Sequence, residues 1–329
     1  MNLSVRIERW PLAGAFSISR GSKTEAVVVV AELSDGVHRG RGECVPYARY
    51  GETPQGVVAA IEAMRGTVQG GLDRAALQTA MPAGAARNAL DCAYWDFEAK
   101  RTGRRVHELA GLTTPVPRVT AYTISLAAPA AMAEAAERAA ARPLLKVKLG
   151  AADGDDPKRI AAVRRAAPRA ELIVDANEGW SEEDFAQNLF ACADAGVTLI
   201  EQPLPEGRDA GLLLPRIKRP IPVCADESVH ERASLEALSG KYDAINIKLD
   251  KAGGLTEALA LGAEAERRGF ALMVGCMVAT SLAMAPALLV TQRARVIDLD
   301  GPLLLAKDRE HGLSYDGRLV HPAAPALWG

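Results

Sequence analysis

The chain has 329 residues, of which 49% are hydrophobic and 24% are charged, and its formal net charge is −2. This length can bury a large core, and the composition is that of an ordinary soluble globular protein. A charge balance so close to neutral argues against nucleic acid or an anionic membrane as a partner, and it leaves a homo-oligomer open.

The cysteine pattern and the first residues predict a cellular compartment. The five cysteines form no C-x-x-C pair, and the segment MNLSVRIERWPLAG carries charges where a signal peptide needs an apolar stretch. Free thiols and a cytoplasmic protein are therefore expected. The uncharged stretch 269–292 is long enough for a membrane span, but its internal Gly, Thr, Ser and Pro residues favour a buried strand followed by a buried helix.

Residues 1–115 are predicted to form an α+β unit of their own. Within it, 24–44 has the pattern of an antiparallel hairpin that turns at Asp35–Gly36. One helix is expected to begin after Thr53, with a proline in its first turn, and a second helix is expected over about 83–101.

Beyond a proline-containing linker at 113–119, short apolar strand candidates alternate with helical patterns. Helices are predicted at 129–142 and at 182–196, the second of them capped by Ser181. The strand candidates are 119–125, 144–150, 171–177, 197–203, 222–228, 244–250, 271–277 and 295–301. This alternation predicts right-handed βαβ units, a parallel sheet and, with eight strands, an α/β fold of the (β/α)₈ barrel type.

Two other architectures have a similar alternation. A leucine-rich solenoid has a comparable period, but its L-x-x-L-x-L consensus is absent. A doubly wound sheet usually carries a glycine-rich phosphate turn after its first strand, which this chain lacks. The predicted organisation is therefore a barrel over 116–310, followed by a tail, 311–329, that packs on the first unit.

Ionisable residues recur near the carboxyl ends of the predicted strands, where a parallel barrel places its active site. They are Lys146 and Lys148 on the second strand, Asp175 on the third, Glu201 on the fourth, Asp226 on the fifth, Lys248 on the sixth, and Asp298 and Asp300 on the eighth. A single aspartate at a strand end is usually a turn or cap residue. Charges from six strands that converge on one mouth are hard to explain in that way.

Three of these residues predict a metal site. Asp175, Glu201 and Asp226 place carboxylates on three consecutive strands. An all-oxygen set suits hard divalent ions, above all Mg²⁺, with Mn²⁺ as an alternative. The competing interpretation is three solvated acids on the rim of the barrel.

The lysines predict acid–base chemistry. Lys146 and Lys148 flank one valine, so in a strand their side chains point to the same side. A solvated edge strand with charged gatekeepers is one explanation. In an eight-stranded barrel, however, the second and sixth strands are opposite each other, so Lys148 and Lys248 would face across the mouth. A carbon acid between them would lose a proton to one lysine and regain it from the other, while Lys146 lowers the pKa of Lys148 and balances the enediolate.

These residues lie in segments that resemble the enolase superfamily, in particular its muconate-lactonising subgroup. The segments are GEC at 42–44, ALDCAYWDFEAK at 89–100, KVK, DAN, EQP, ADES, NIKLDKAGG and GCM, and DLDGP at 298–302 resembles the D-x-D of dipeptide epimerases. The resemblance implies a modified TIM barrel, (β/α)₇β, with an N-terminal α+β capping domain. It also implies Mg²⁺ on the three carboxylates, with acid and base roles for Lys148 and Lys248.

The same resemblance implies a dipeptide substrate, with L-Ala-D/L-Glu from murein peptide recycling as the expected one. Asp298 and Asp300 would bind the α-ammonium group of the dipeptide. Thr123, Cys276 and Met277 would line the pocket.

The loop 17–25 is predicted to carry the specificity for the second residue of the dipeptide. Arg20 resembles an arginine that pairs with a glutamate side chain in Ala-Glu epimerases, and a guanidinium fits a carboxylate bidentately. A solvated loop arginine is the other interpretation of Arg20. Because the loop is shorter than in some members of the family, Lys23 is a second candidate for this role.

Two alternatives stay open. The same chemistry on another substrate would give an o-succinylbenzoate synthase, an N-acyl amino acid racemase or a cycloisomerase, whose substrates lack the ammonium group that Asp298 and Asp300 would bind. The second alternative is a barrel retained as a non-catalytic binding protein. The intact set of lysines and carboxylates argues against it, since a barrel core is built without them.

Overall fold

The computed structural model of the protein describes residues 1–213 and 219–329. The chain begins with an antiparallel sheet of β1 (Asn2–Ile18), β2 (Gly21–Ser34) and β3 (Arg39–Cys44). The predicted hairpin is confirmed as β2 and β3. β1 has no counterpart among the predicted elements, because it is an edge strand whose pairing is irregular between Pro11 and Phe16.

Helices follow the N-terminal sheet and cover one of its faces. They are α1 (Pro54–Ala63), α2 (Arg65–Gln69), α3 (Arg74–Ala80), α4 (Ala85–Thr102) and α5 (Val106–Leu109). The Thr53 side chain accepts a hydrogen bond from Gly56 N at 3.0 Å, so the predicted cap of α1 is confirmed. The helix expected at 83–101 is α4.

After the short strand β4 (Arg118–Val119), the chain forms a parallel sheet whose strands pair in sequence order. Its strands are β5 (Tyr122–Ile124), β6 (Leu144–Lys148), β7 (Glu171–Asp175), β8 (Val197–Glu201), β9 (Val223–Ala225), β10 (Ala244–Ile247), β11 (Ala271–Gly275) and β12 (Val296–Asp298). Ala121 N, just before β5, donates to Ile297 O of β12 at 2.8 Å, which closes the sheet into a barrel. The predicted α/β fold, a modified TIM barrel with an N-terminal capping unit, is confirmed.

Helices connect the barrel strands. They are α6 (Pro129–Arg138), α7 (Asp156–Ala166), α8 (Glu182–Asp194), α9 (Leu235–Leu238), α10 (Leu249–Ala252), α11 (Leu255–Arg267) and α12 (Ser281–Val290). The Ser181 cap of α8 is confirmed, since its side chain accepts from Asp184 N. The uncharged stretch 269–292 forms β11 and α12, and no helix among the described residues has the length and apolar character to cross a membrane.

The first barrel strand differs from its prediction over 119–125. Only Tyr122–Ile124 belongs to the barrel, because β4 pairs instead with β13 (Leu319–Val320), which lies near the C-terminus. The last residues then contact α4, where Trp328 Nε1 donates to Cys92 O at 3.1 Å and Gly329 N donates to Asp96 Oδ1 at 2.7 Å.

The interior of the barrel explains why its charges lie at one end. A cluster of buried apolar side chains fills the barrel. Each strand, or in the case of β5 the residue just before it, contributes one side chain: Ala121, Leu144, Ile173, Leu199, Cys224, Ala244, Met273 and Val296. Alternation along β6 puts Leu144, Lys146 and Lys148 on the same side of the strand. Leu144 therefore belongs to the apolar cluster, and the two lysines follow it towards the carboxyl end.

Candidate active site

Three buried carboxylates meet where β7, β8 and β9 end. Asp175 pairs in register with Glu201, and Asp226 directly follows β9. Each of the three residues offers an oxygen atom, and these atoms lie within 4.8 Å of one another. Burial raises the pKa of Glu201, and the neighbouring charge of Asp175 raises it further. So dense a group of buried carboxylates requires positive charge, and an all-oxygen set fits a hard divalent cation.

Two lysines reach this group from its two sides. Lys148, at the end of β6, places Nζ 2.5 Å from Asp175 Oδ2. Lys248, which follows β10, places Nζ 2.6 Å from Asp226 Oδ2. Burial disfavours the charged form of Lys248. The carboxylates of Asp226 and Glu201 outweigh this effect of burial and raise the pKa of Lys248 well above the usual value.

Lys146 lies below Lys148 and is almost fully buried. Its Nζ is 2.7 Å from Asp298 Oδ2, 2.7 Å from Glu201 Oε2 and 3.1 Å from Asp175 Oδ2. Burial opposes its charge, but these carboxylates raise the pKa of Lys146 well above the usual value. Lys146 is therefore a buried, charged residue that forms ion pairs with Asp175, Glu201 and Asp298. The sequence did not indicate these pairs.

Sequence reasoning also missed two residues that hold the carboxylates. Lys251 Nζ lies 2.5 Å from Asp226 Oδ1 and also donates to the carbonyl of Asp226. Asn246 Nδ2 donates to Glu201 Oε1 at 2.7 Å. Both residues lie in the segment NIKLDKAGG, but the strand-end pattern indicated only Lys248, because the turn of α10 is needed to bring Lys251 back to the barrel.

The two aspartates of the eighth strand are buried beside Lys146. Asp298 Oδ2 accepts a hydrogen bond from Lys146 Nζ, whereas Asp298 Oδ1 has no hydrogen-bond partner among the described residues. Asp300 Oδ2 accepts from Thr123 N at 2.7 Å. Burial, together with the charge of Asp298, raises the pKa of Asp300 to about 7. Asp298 therefore has a buried acceptor without a donor among the described residues, and neither aspartate is among the residues that line the cavity described next.

A cavity of about 410 Å³ lies above the carboxylates, between the barrel and the N-terminal unit. Its walls include Phe16, Arg20, Lys23, Tyr47, Tyr50, Lys148, Asp226, Lys248, Cys276 and Met277. The predicted lining residues Cys276 and Met277 are thus in place, whereas Thr123 borders a separate groove of about 480 Å³. The aromatic residues at 16, 47 and 50 were not foreseen, since they come from the end of β1 and from the segment after β3, which the fold alone brings over the barrel.

Arg20, in the turn between β1 and β2, and Lys23, near the start of β2, have different surroundings. Arg20 Nη2 is 2.6 Å from Glu227 Oε1 and 3.0 Å from Tyr47 Oη, and its Nη1 donates to Asn177 O at 2.8 Å. Lys23 has no acidic side chain within ion-pair distance among the described residues, and its Nζ lies 5.8 Å from the centre of the Phe16 ring. Both side chains border the cavity, and of the two Lys23 is the one without an acidic partner among the described residues.

Comparison with known proteins places this geometry in a family. The chain matches two family models, "Mandelate racemase / muconate lactonizing enzyme, N-terminal domain" over residues 1–111 and "Enolase C-terminal domain-like" over residues 131–322. L-Ala-D/L-Glu epimerase of Escherichia coli K12 is 48% identical over 316 residues, which cover 95% of this chain and 97% of that protein. N-acetyl-D-glutamate racemase of a Pseudoalteromonas species is 44% identical, and the match covers 92% of this chain and 95% of that protein.

A solved structure agrees with these matches. It is an enolase family member from Agrobacterium tumefaciens with homology to dipeptide epimerases, containing bound sodium, L-Ala-L-Glu and an ordered loop. It superposes with a TM-score of 0.96 at 56% identity over 99% of each chain. The resemblance seen in the sequence is therefore confirmed, and the chain belongs to the mandelate racemase/muconate lactonising enzyme family of the enolase superfamily.

Proposed function

We propose that the protein is an isomerase that epimerises dipeptides at the α-carbon of the C-terminal residue, with L-Ala-L-Glu and L-Ala-D-Glu as the substrate pair. The E. coli epimerase and the A. tumefaciens structure with bound L-Ala-L-Glu support this choice. Murein peptides that are recycled in the cytoplasm are the proposed source of these dipeptides.

The observation that carries the proposal is that Lys148 and Lys248 contact opposite members of the carboxylate group, Asp175 and Asp226, and line the same cavity. With a substrate α-carbon between the two amines, one amine removes the α-proton and the other supplies a proton on the opposite face. This 1,1-proton transfer inverts the centre, whereas a single base would return the proton to the face that it left.

The carboxylates of Asp175, Glu201 and Asp226 would hold the metal ion, with Mg²⁺ as the first choice and Mn²⁺ as the second. When bound, this ion would stabilise the negative charge that develops on the substrate carboxylate as the α-proton leaves. Lys146 contributes by keeping Asp175 and Glu201 in place from below, and its raised pKa keeps it charged throughout.

The other end of the dipeptide would lie at Asp298 and Asp300. The free oxygen of Asp298 is the proposed acceptor for the α-ammonium group. For the glutamate side chain we propose Lys23 in place of Arg20, because Arg20 already pairs with Glu227.

Racemisation of N-acylglutamate is a second candidate function. The Pseudoalteromonas relative is named for N-acetyl-D-glutamate. Asp298 already pairs with Lys146, and the pKa of Asp300, raised to about 7, gives this residue a neutral form that would donate a hydrogen bond to an acyl oxygen. Both substrates have an acylated glutamate, but the acyl α-carbon of L-Ala-Glu carries a methyl group and an ammonium group that the acetyl group lacks.

An experiment in D₂O tests the proposal. The protein with Mg²⁺ should exchange the glutamate α-proton of L-Ala-L-Glu for deuterium and form L-Ala-D-Glu, as measured by NMR and chiral chromatography. Thorough chelation should abolish both processes, and added Mg²⁺ should restore them. Parallel reactions with N-acetyl-L-glutamate compare the two candidate substrates, and turnover of neither would reject both functions.

Variants of the two lysines test the two-base mechanism in the same assay. Arginine keeps the positive charge beside each carboxylate but stays protonated, so it cannot act as a base. Lys148→Arg and Lys248→Arg should both lose epimerisation, yet each should exchange the α-proton of one epimer, and the two variants should prefer opposite epimers. Exchange of the same epimer by both variants would contradict the assignment.

A further inference from the structure

We infer that Arg20 is a positioning residue that holds the turn between β1 and β2 over the cavity, so that Lys23 points towards the substrate side chain. The inference rests on the proposed function for the identity of that side chain. The Arg20 cluster, by which we mean Arg20, Tyr47, Asn177, Glu178 and Glu227, provides the evidence.

The contacts of this cluster join the turn to the barrel. Besides Glu227 and Asn177 O, the Arg20 guanidinium lies 3.1 Å from Glu178 Oε2, and Ser19 Oγ donates to Asn177 O at 2.9 Å. Glu227 is almost fully buried, so removal of Arg20 would leave a buried carboxylate without this cation. Asn177 and Glu178 follow β7, which ends at Asp175, and Glu227 directly follows Asp226.

The backbone at the acceptors is unusual. Asn177 and Glu178 have φ values of 45° and 64°, in the left-handed region that residues other than glycine seldom adopt. Asn177 O accepts from both Ser19 and Arg20 in this conformation. The turn between β1 and β2 and the segment after β7 therefore stabilise each other's conformation.

Lys23 needs such support because its position is electrostatically unfavourable without an anion. It pairs with Phe16 across the β1–β2 hairpin, and both residues line the cavity that Lys148 and Lys248 also border. Its ammonium group is repelled by these two lysines, and no acidic partner offsets this repulsion among the described residues. The contacts of Arg20 thus hold Lys23 where a substrate carboxylate becomes its partner.

A double-mutant cycle on substrate choice tests this role. We expect Lys23→Met and Arg20→Met each to lower the ratio of kcat/KM for L-Ala-L-Glu to that for L-Ala-L-Gln about tenfold, the scale of one charged hydrogen bond. The double variant should lower it no further, and Arg20→Lys should restore part of it. Additive effects, or a ratio that Arg20→Met leaves unchanged, would overturn the inference.

Trypsin cleavage after Lys23 gives a readout that does not depend on turnover. Arg20→Met should accelerate this cleavage, because the turn is no longer held against the barrel. Arg9→Met is the matched control, since Arg9 pairs with Glu25 on the exposed part of the same hairpin, and it should leave both the cleavage rate and the substrate ratio unchanged. An unchanged rate in Arg20→Met would overturn the inference, and this result can be obtained even if neither dipeptide is a substrate.

Discussion

The cations around the cavity differ in the groups that their side chains contact. Lys146 and Lys251 are fixed on carboxylates, and Arg20 is fixed on Glu227. Lys23 differs, because burial and the charges of Lys148 and Lys248 lower its pKa to about 8. It is thus a cation whose charge changes within a range of pH that an enzyme assay can cover.

A pH dependence of substrate binding follows at this scale. Lys23 is charged below its pKa and neutral above it, so KM for L-Ala-L-Glu should rise as pH increases through about 8, while KM for L-Ala-L-Gln should stay nearly constant. KM measured for both dipeptides from pH 6.5 to 9.5 checks this. Lys23→Arg, which keeps its charge over this range, should remove the rise. Equal increases for both dipeptides would assign the effect to another group.

At the scale of single elements, the contact between β3 and α4 shows why particular glycines are needed. The strand lies directly on the helix backbone, and a Cβ added at Gly42 would be 2.1 Å from Ala89 O and 2.7 Å from Ala93 N. Neither atom can move without moving α4 itself. The glycine of the GEC segment therefore permits this close packing.

Gly42→Ala should lower the free energy of unfolding by about 1–3 kcal/mol, the usual cost of overpacking a core. Urea unfolding followed by circular dichroism measures it. Gly14→Ala in β1 is the control, since a Cβ there meets no atom within 4 Å. If both variants unfold at the same urea concentration, the close contact between β3 and α4 does not require a glycine at position 42.

The elements also show how far a local pattern extends. The prediction at 129–142 located a real helix, but α6 ends at Arg138 and residues up to 142 form a turn before β6. Alanine-rich sequence favours a helix throughout this range, whereas the barrel requires the chain to turn back towards its next strand. Tertiary structure therefore decided the boundary.

At the scale of the whole molecule, the N-terminal unit is attached to the barrel through buried polar groups. Glu43 Oε1 accepts from Thr280 N at 2.8 Å, and Glu43 Oε2 lies 2.5 Å from Arg309 Nη2. Asp250 Oδ1 accepts from Val45 N at 2.9 Å. These contacts fix the loops of the N-terminal unit over the mouth of the barrel, so they help to build the cavity.

Arg309→Met should leave the buried Glu43 carboxylate without its cation and should cost about 3–5 kcal/mol of stability at neutral pH. Burial already raises the pKa of Glu43, so the cost should shrink as the pH falls and Glu43 takes up a proton. Thermal unfolding at pH 7.5 and 5.5 measures both effects. Glu43→Gln should recover part of the stability of Arg309→Met, and a double variant as unstable as the single one would contradict the account.

The sequence by itself determined the barrel and the order of charges around its mouth. Strand period, strand spacing and the position of Asp175, Glu201 and Asp226 at strand ends are local features, and a closed parallel barrel brings all strand ends to one side. The family resemblance then predicted the chemistry. Local pattern and topology were sufficient because each of these side chains lies at the end of its own strand.

Only the tertiary structure decided how the side chains are paired. Arg20 contacts Glu227, which is 207 residues away, and Lys146 contacts Asp298, which is 152 residues away. A sequence pattern records the type and spacing of charges, but a pair of opposite charges forms only where the folded backbone brings them within about 4 Å. For this reason the sequence left both Arg20 and Lys23 as candidates, and only the folded chain shows that Arg20 pairs with Glu227 whereas Lys23 has no acidic partner among the described residues.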